Sequence, residues 1–246
     1  MKNKSVFLSE WLDTNKIPYK KNYEIKHYSW IKAGGVIKNY ITPETIDQCV
    51  NIIKFFKSNN KEFYIFGNQS NLIVRDGVIF TPIINLSKMN KISFEEDEKG
   101  LNIVCDSGVS IPRFSKNIIK RGFTGTEGLV GIPGSIGGGV CMNASSYGSE
   151  VCTYLKSVRV IDNYGNLQDL NKEELSLKWR GSIFKENKVV MIKGTVSADD
   201  YRRENLEDVG IKVRATDIMS IDSSRALVTS YIRLILPMNS LKTLAN

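Results

Sequence analysis

The sequence predicts an α+β protein built from two subdomains that divide near residue 95. Stretches with helical periodicity alternate with short apolar runs typical of strands, and several of those runs are separated only by turn residues, as in hairpins. The chain has 246 residues, of which 41% are hydrophobic and 24% are charged. A chain of this length and composition can bury a core, as one large domain or two modest ones.

Two helices are predicted in the first part of the chain. Residues 5–16 carry apolar residues at helical spacing, and a second helix is expected to begin with Thr42 as its N-cap and Pro43 in its first turn. Between them, the polar stretch 20–26 predicts a loop, and the glycine pair 34–35 predicts a tight kink within a strand.

Strands dominate the middle of the chain. Apolar runs predict strands over residues 63–66, 78–86 and 101–108. The acidic residues 95–98 between the last two runs are typical of the solvated tip of a hairpin. Ser110 is a suitable N-cap for a helix that reaches Arg121.

The later part of the chain again favours strands. Residues 156–170 predict two strands around a turn at 163–166. Asn171 and Glu174 have the spacing of a capping box. A last strand is predicted over residues 189–197.

The densest glycine region lies at residues 122–148, which hold nine of the 19 glycines. Apolar residues stand between these glycines, unlike the polar composition of a flexible linker, and a single proline in so short a repeat excludes a collagen helix. Glycine lets the backbone take positive φ angles or lie close to another group, and successive N–H groups can bind an anion. The stretch therefore predicts a ligand-binding loop, and its alternative is a loop that is only packed.

A second candidate for a ligand-binding turn is GNQSNL at residues 67–72. It follows the predicted strand 63–66 and precedes another apolar run, so its N–H groups can face an anion at the end of the strand. An Asn-rich β-turn without a ligand explains the same residues equally well.

Composition excludes several classes of protein. The scattered cysteines (Cys49, Cys105, Cys141 and Cys152) and the single histidine, His27, indicate neither a metal site nor a disulfide framework. No run is long and apolar enough for a signal peptide or a membrane span, so we expect a cytoplasmic protein without a membrane partner. The net charge of +8 favours polyanionic partners, but no nucleic-acid-binding motif accompanies it, so nucleotides are favoured over nucleic acid.

Three motifs carry a resemblance to a known family. They are GNQSNLIV (67–74), GFTGTEGLVGIPGSIGGGVCMNASSYG (122–148) and WRGSIFK (179–185). In this order and at these separations, they resemble the flavin-binding half of UDP-N-acetylenolpyruvoylglucosamine reductases, over roughly residues 25–200. The resemblance implies a two-subdomain, α+β FAD-binding fold of the vanillyl-alcohol-oxidase (PCMH) type. The corresponding segments are an N-terminal helix (1–20), two FAD-binding subdomains (21–95 and 96–200) and a short C-terminal segment (201–246).

The resemblance also implies a set of site residues. The turn 67–72 and the loop 131–138 would hold the pyrophosphate of noncovalent FAD through backbone N–H groups, and the others would lie near the flavin, its ribityl chain or the adenine. Arg180 matches the catalytic arginine that holds the substrate carboxylate, a contact suited to a planar guanidinium; the alternative is a surface salt bridge. The cofactor residues are Gly67, Asn68, Gln69, Ser70, Asn71, Leu72, Ser107, Gly108, Gly131, Ile132, Pro133, Gly134, Gly137, Gly138, Asn143, Ser146, Tyr147 and Ile192.

The chain departs from the family pattern at several positions. Asn68 and Gln69 replace glycines, Lys32 stands in place of an arginine, and Trp179 stands in place of a tyrosine. The family also has a further domain of about a hundred residues, whose Gly-Ser-x-Phe-Lys-Asn-Pro motif contains a proton-donating serine. Residues 201–246 lack that motif, so we expect reduction of the flavin to be poorly coupled to reduction of the substrate.

The function expected from the resemblance is that of an FAD-dependent oxidoreductase of cell-wall precursor synthesis. NADPH would reduce the flavin, and a nucleotide sugar, UDP-N-acetylglucosamine enolpyruvate, would receive the hydride. The alternative is an FAD-binding paralogue or truncated module without that activity, in another nucleotide-sugar or surface-polysaccharide pathway. The sequence leaves open the actual substrate, the proton donor and whether the chain forms a homo-oligomer.

Overall fold

The computed structural model describes residues 8–97, 100–162, 164–186, 190–197 and 233–235 of the chain. Helices and strands alternate along it, and most strands belong to two main sheets. In chain order the elements are α1 (Leu8–Thr14), β1 (Tyr19–Glu24), β2 (Val36–Ile41), α2 (Ile46–Ser58), β3 (Tyr64–Phe66), β4 (Leu72–Val74), β5 (Val78–Ile79), β6 (Ile83–Asn85), β7 (Ile92–Asp97), β8 (Gly100–Asp106), α3 (Ile111–Ile119), α4 (Ile136–Met142), β9 (Ser145–Ser146), β10 (Ser149–Glu150), β11 (Leu155–Ile161), β12 (Leu167–Asn171), α5 (Ile183–Glu186), β13 (Val190–Ser197) and β14 (Arg233–Ile235).

The first sheet has the strand order β1-β2-β6-β3, with β5 also beside β2. β1 runs antiparallel to β2, whereas β2, β5, β6 and β3 pair in parallel. Successive side chains of a strand point to opposite faces, so Ile83 and Ile84 of β6 enter different cores. Ile84 packs with the apolar faces of α1 and α2, and Ile83 joins Ile37 and Phe66 on the other face.

The second sheet has the order β12-β11-β13-β8-β7, and every neighbouring pair in it is antiparallel. α3 and α4 contribute Phe114 and Val140 to one core with Ile103 and Val158 of the strands. This sheet begins with β7 at Ile92, a few residues before the division that the sequence predicts near residue 95.

Several elements lie where the sequence predicts them. Ser110 is the N-cap of α3, and its side chain accepts a hydrogen bond from the Arg113 N–H at 3.3 Å. Asn171 and Glu174 form the predicted capping box, here on a short 3-10 helix. β11 and β12 form the predicted antiparallel pair. In each case the interacting residues are close in sequence.

Other predictions about residues 20–58 are wrong in their boundaries. Residues 20–26, expected to form a loop, contain most of β1, an edge strand whose mostly exposed polar side chains give no apolar signal. The glycine pair 34–35 precedes β2 and does not kink it. α2 begins after Thr45 and not after Thr42, because the Thr45 side chain accepts from the Gln48 N–H at 3.2 Å.

Three strand predictions also need correction. Residues 78–86 form two short strands, β5 and β6, and Pro82 between them has no N–H to donate to a sheet. The acidic residues 95–97 lie within β7, which stays paired with β8 up to Asp97. In β3 only Phe66 is buried, so this strand is more exposed than its apolar sequence suggests.

Little of the C-terminal segment 201–246 belongs to the described residues. Its one described element, β14, pairs in parallel with β4. The remainder of the segment lies outside the described residues. In the part of the chain that the structure describes, no helix is long and apolar enough to cross a membrane.

Candidate functional site

The turn at residues 67–72 lies at the carboxyl ends of two parallel strands. It follows β3 directly, and β3 pairs with β6 so that Phe66 lies opposite Asn85. The buried Asn85 side chain donates from Nδ2 to the Gly67 carbonyl at 2.7 Å, and its Oδ1 accepts from the Ser87 N–H at 3.0 Å. One amide side chain thus fixes the start of the turn to the neighbouring strand, at a sheet edge where ligands commonly bind.

Two hydrogen bonds join this turn to the glycine-rich stretch. Asn68 Nδ2 donates to the Gly134 carbonyl at 3.1 Å, and Ser70 Oγ donates to the Pro133 carbonyl at 2.6 Å. The bonded residues are 66 and 63 positions apart in sequence. Gly134 itself has a φ of 153°, a conformation that favours glycine. The structure therefore brings the two predicted loops into contact.

The backbone of the turn presents several donors. Among the residues that the structure describes, none accepts a hydrogen bond from the N–H groups of residues 68–71. Gln69 has a left-handed φ of 59°. Successive N–H groups around a left-handed residue can point to one side and form a concave site for an anion. The turn can therefore hold an anionic group by its backbone.

The sequence predicts a loop at residues 131–138, and the structure begins a helix, α4, within it. Ser135 is the N-cap, and Asn143 ends the helix in a left-handed conformation with φ 41° and ψ 58°. The Gly137 N–H donates to the Ser107 carbonyl at 2.8 Å, so this group is already occupied and is not available to a pyrophosphate. A glycine in a helix interior costs about 0.8–1.0 kcal/mol relative to alanine, so the two caps and the packing hold this helix.

The three successive glycines of α4 have different surroundings. A Cβ on Gly137 would lie 2.7 Å from the Cβ of Ser107, and one on Gly139 would lie 3.0 Å from a core side chain. A Cβ on Gly138 would meet only Ser135 Oγ, at an ordinary 3.6 Å. The packing therefore leaves no room for a Cβ at 137, allows one at 139 only if the neighbouring side chains give way slightly, and leaves space for one at 138.

Beyond α4 the chain turns through a short hairpin. Ser146 of β9 pairs with Ser149 of β10, and Tyr147 and Gly148 form the turn with φ angles of 47° and 79°. Tyr147 is 67% exposed. The hairpin follows Asn143 directly, so the predicted residues Ser146 and Tyr147 lie beyond the C-terminal end of α4.

Arg180 lies in a tight turn that is anchored to the same end of α4. The residues that flank the turn exchange two backbone hydrogen bonds of 3.0 Å, and Arg180 has a left-handed φ of 56°. Its guanidinium carbon lies 5.7 Å from the ring centre of Trp179, which is 71% exposed. Directly after the turn, the buried Ser182 donates from Oγ to the Cys141 carbonyl at 2.8 Å. This bond fixes the Arg180 turn to the last turn of α4.

Four of the predicted cofactor residues carry a buried polar atom without a hydrogen-bond partner in the described part of the chain. The atoms are Gln69 Oε1, Asn71 Oδ1, Ser107 Oγ and Asn143 Oδ1. Thr126 Oγ1 is a further such atom, outside the predicted set. A buried polar group left without a partner costs about 1–3 kcal/mol, so groups of this kind usually meet water or a ligand. The donor and acceptor set fits a ligand with hydroxyl and phosphate groups, as FAD has.

Other predicted residues have surroundings of their own. Gly108 donates its N–H to the Met89 carbonyl at 2.8 Å, and Ile132 packs against the core of the second sheet. A Cβ on Gly131 would have no neighbour within 4 Å. Ile192 lies in β13 at a register shift, opposite the step from Arg159 to Val160 of β11. The backbone of β13 packs against α4.

Three residues that shape the site are absent from the sequence-based prediction. Asn85 fixes Gly67, Ser135 caps α4, and Tyr40 of β2 accepts a hydrogen bond from Gln69 Nε2 at 2.7 Å. Ser135 precedes the helix and could have been found as an N-cap. Asn85 and Tyr40 act on a turn that lies far from them in sequence, and no local pattern indicates this.

Two stacked tyrosines, Tyr40 and Tyr23, have raised pKa values. Burial raises the pKa of Tyr40 well above the ordinary value and, with the nearby Tyr28, raises the pKa of Tyr23 to about 12. Both hydroxyl groups are neutral near pH 7, as in ordinary tyrosines, and the raised pKa keeps them neutral to a higher pH. Within the described ranges, no cluster of three or more His, Cys, Asp or Glu residues could hold a metal ion.

Comparison with known proteins identifies close relatives of this chain. The UDP-N-acetylenolpyruvoylglucosamine reductase of Clostridium novyi is 35% identical over 212 residues, which cover 86% of this chain and 66% of the relative. The reductase of Clostridium kluyveri is 37% identical, over 82% of this chain and 64% of the relative. The chain thus spans just under two thirds of the length of these curated relatives.

Two solved structures have a fold similar to that of this chain. UDP-N-acetylenolpyruvylglucosamine reductase from Thermus caldophilus superposes with a TM-score of 0.62 at 22% identity, over 82% of this chain and 68% of that chain. A solvent-stable cholesterol oxidase gives a TM-score of 0.57 at 15% identity, over 74% and 38%. These likenesses confirm the predicted α+β fold of the vanillyl-alcohol-oxidase (PCMH) type. Residues 37–171, more than half of the chain, match the family model described as FAD binding domain. The chain belongs to the FAD binding domain family.

Proposed function

We propose that the chain binds FAD noncovalently where the turn 67–72 meets the loop 131–138. One observation carries this proposal. Among the described residues, the N–H groups of 68–71 and several buried polar atoms of other predicted residues have no hydrogen-bond partner. The N–H groups would face the pyrophosphate. The open space at Gly138 would let the cofactor approach the backbone of α4.

The chemistry of the unpartnered atoms fits the rest of the cofactor. The amide oxygens of Asn71 and Asn143 can only accept hydrogen bonds, so they would pair with hydroxyl or ring N–H donors. The Ser107 hydroxyl can donate or accept. When bound, FAD supplies the hydride-transfer chemistry, and the chain's part is to hold and orient it.

We further propose that the chain belongs to an FAD-dependent oxidoreductase with the activity of UDP-N-acetylenolpyruvoylglucosamine reductase. The identity of 35–37% to proteins of that name supports the proposal. The reaction adds a hydride and a proton across the enolpyruvyl double bond, and the adjacent carboxylate takes on enolate-like charge. Arg180 would hold that carboxylate through two parallel hydrogen bonds, which stabilise developing charge. The anchoring of its turn to α4 supports this role.

The proposed substrate is a nucleotide sugar, and the proposed reductant is NADPH. Both are polyanions at neutral pH, and the net charge of +8 would draw them toward the protein. A bound substrate would also need a carboxylate within reach of Arg180, which a nucleotide sugar without the enolpyruvyl group lacks. UDP-N-acetylglucosamine, which lacks the enolpyruvyl group, can therefore serve as the control ligand.

The test uses the purified full chain. Heat denaturation should release unmodified FAD into the supernatant, and NADPH should bleach the flavin absorbance when oxygen is excluded. UDP-N-acetylglucosamine enolpyruvate should then restore the absorbance, although slowly because of the poor coupling expected from residues 201–246, whereas UDP-N-acetylglucosamine should not restore it. A protein that binds no FAD would refute the whole proposal. Flavin that NADPH reduces but that the enolpyruvyl sugar does not reoxidise would refute the reductase activity and leave an FAD-binding module.

A further inference from the structure

The conformation of Gln69 needs a structural cause. This residue is 9% exposed and has a left-handed φ of 59°. Residues with a Cβ rarely adopt this conformation, because the Cβ approaches the backbone carbonyl. Glycine adopts it freely. A side-chain contact from another part of the chain would stabilise Gln69 in this conformation.

Tyr40 makes that contact from a different strand. Gln69 Nε2 donates to the Tyr40 hydroxyl at 2.7 Å. Tyr40 is 5% exposed, and its ring stacks on Tyr23 with the ring centres 4.0 Å apart. Tyr23 stacks in turn on Tyr28 at 4.7 Å. This stack of three rings fixes the position of the Tyr40 hydroxyl.

The same hydroxyl is also coupled to the start of the turn. It interacts with the side chain of Asn85, and Asn85 Nδ2 donates to the Gly67 carbonyl at 2.7 Å. Tyr40 thus lies at the meeting point of two side chains that act on residues 67 and 69. Both residues belong to the turn whose N–H groups at 68–71 no described residue occupies.

We propose that Tyr40 is a positioning residue for the turn 67–72, whose hydroxyl holds Gln69 in its left-handed conformation so that the N–H groups of 68–71 face the phosphates of the ligand. This inference rests on the proposed FAD site and extends it. Tyr40 contributes to cofactor affinity through Gln69. Gln69, although it stands where the related family has glycine, keeps the turn in shape because Tyr40 supports it.

A double-mutant cycle tests the coupling. Tyr40→Phe keeps the ring stack but removes the hydroxyl, so FAD should bind about tenfold more weakly, a loss of about 1.4 kcal/mol. Gln69→Gly should bind FAD within about twofold of the wild-type affinity, because glycine takes the positive φ without a side-chain contact. In the Gln69→Gly background, Tyr40→Phe should have a much smaller effect, because only its contact with Asn85 is then left to lose. Tyr28→Phe, in the same ring stack but with an exposed side chain, is the matched control and should bind FAD normally.

Two readouts separate this inference from the proposed function. FAD affinity is measured by quenching of flavin fluorescence, and amide hydrogen exchange of residues 67–72 is measured on the flavin-free chain. Exchange in the turn should be faster in Tyr40→Phe than in the wild type, and the Tyr40 change should accelerate it much less in the Gln69→Gly background. An equal loss of affinity in both backgrounds, or unchanged exchange in Tyr40→Phe, would overturn the inference. A wild-type chain that binds no FAD would refute the proposed function, and the exchange data would still decide whether Tyr40 orders the turn.

Discussion

A methyl group added at Gly138 should affect folding and cofactor binding in opposite directions. The position is exposed, lies in the first turn of α4, and would place a Cβ only 3.6 Å from Ser135 Oγ, an ordinary contact. Alanine is favoured over glycine in a helix by about 0.5–1 kcal/mol. Gly138→Ala should therefore stabilise the flavin-free chain by about that amount, which corresponds to a rise in Tm of roughly 1–4 °C for a chain of this size.

The same methyl group should weaken FAD binding. The open space beside Gly138 is where we place the approach of the cofactor to the backbone, and a Cβ would occupy part of it. A cofactor displaced from this contact should lose roughly tenfold or more in affinity, at least about 1.4 kcal/mol. Gly138→Ala is thus expected to stabilise the flavin-free chain and to weaken its binding of FAD.

The assay combines thermal unfolding of the flavin-free chain with an FAD titration. Gly137→Ala is the matched control, since its Cβ would lie 2.7 Å from the Ser107 Cβ and should lower Tm whether or not FAD is present. Wild-type FAD affinity in Gly138→Ala would refute the placement of the cofactor against α4. A lower Tm in the same variant would refute the description of the space around Gly138.

Other perturbations test the carboxylate contact, a helix cap and two buried thiols. Arg180→Lys keeps the charge but loses the planar guanidinium, so turnover should fall roughly tenfold with an unchanged flavin spectrum; an unaffected rate would remove Arg180 from the proposed reaction. Thr45→Ala should lower the free energy of unfolding in urea by about 1 kcal/mol, and Thr42→Ala clearly less; the reverse order would place the N-cap at Thr42. Burial raises the pKa of both Cys49 and Cys152 from 9.0 to about 12. The folded state thus keeps these thiols protonated at a pH where the unfolded chain ionises them, so stability should be level below about pH 8 and fall as the pH rises from 9 toward 12. Urea titrations across this pH range should show a smaller fall in the free energy of unfolding for Cys49→Ala than for the wild type. An equal fall in both would contradict the raised pKa of Cys49.

Sequence reasoning succeeds here where the residues that determine an element are neighbours in the chain. Ser110 caps α3 by accepting from an N–H three residues later, and Asn171 and Glu174 form their capping box over the same distance. Such contacts depend on local backbone geometry and little else. They can therefore be identified without knowledge of the fold.

The same reasoning fails where two local patterns compete or where packing decides. Thr42 and Thr45 are both plausible N-caps, and only the hydrogen bond to Gln48 distinguishes them. The strand β1 has a polar sequence because it lies at a sheet edge, so the apolar alternation of a buried strand is absent. The glycines of α4 suggest a loop, since helix propensity alone opposes a helix there.

Part of the candidate site could likewise be predicted from the sequence, and part could not. The motifs indicate the turn 67–72 and the loop 131–138, because a backbone that binds an anion needs glycine and small polar residues. They do not indicate that Gly137 faces Ser107 while Gly138 faces open space. Nor do they indicate Tyr40, which acts on the turn from a strand 29 residues away. These features depend on how the strands and helices pack, which the motifs do not encode.

The two hydrogen bonds between the turn and the glycine-rich stretch have a consequence for how the chain folds. They join residues 66 and 63 positions apart, and each segment is attached to a different sheet. Contacts between such distant segments form slowly, because a long loop must close before any of them is made. A ligand that bound both segments would stabilise only the chain in which the two sheets are already docked, by an amount set by its concentration relative to Kd.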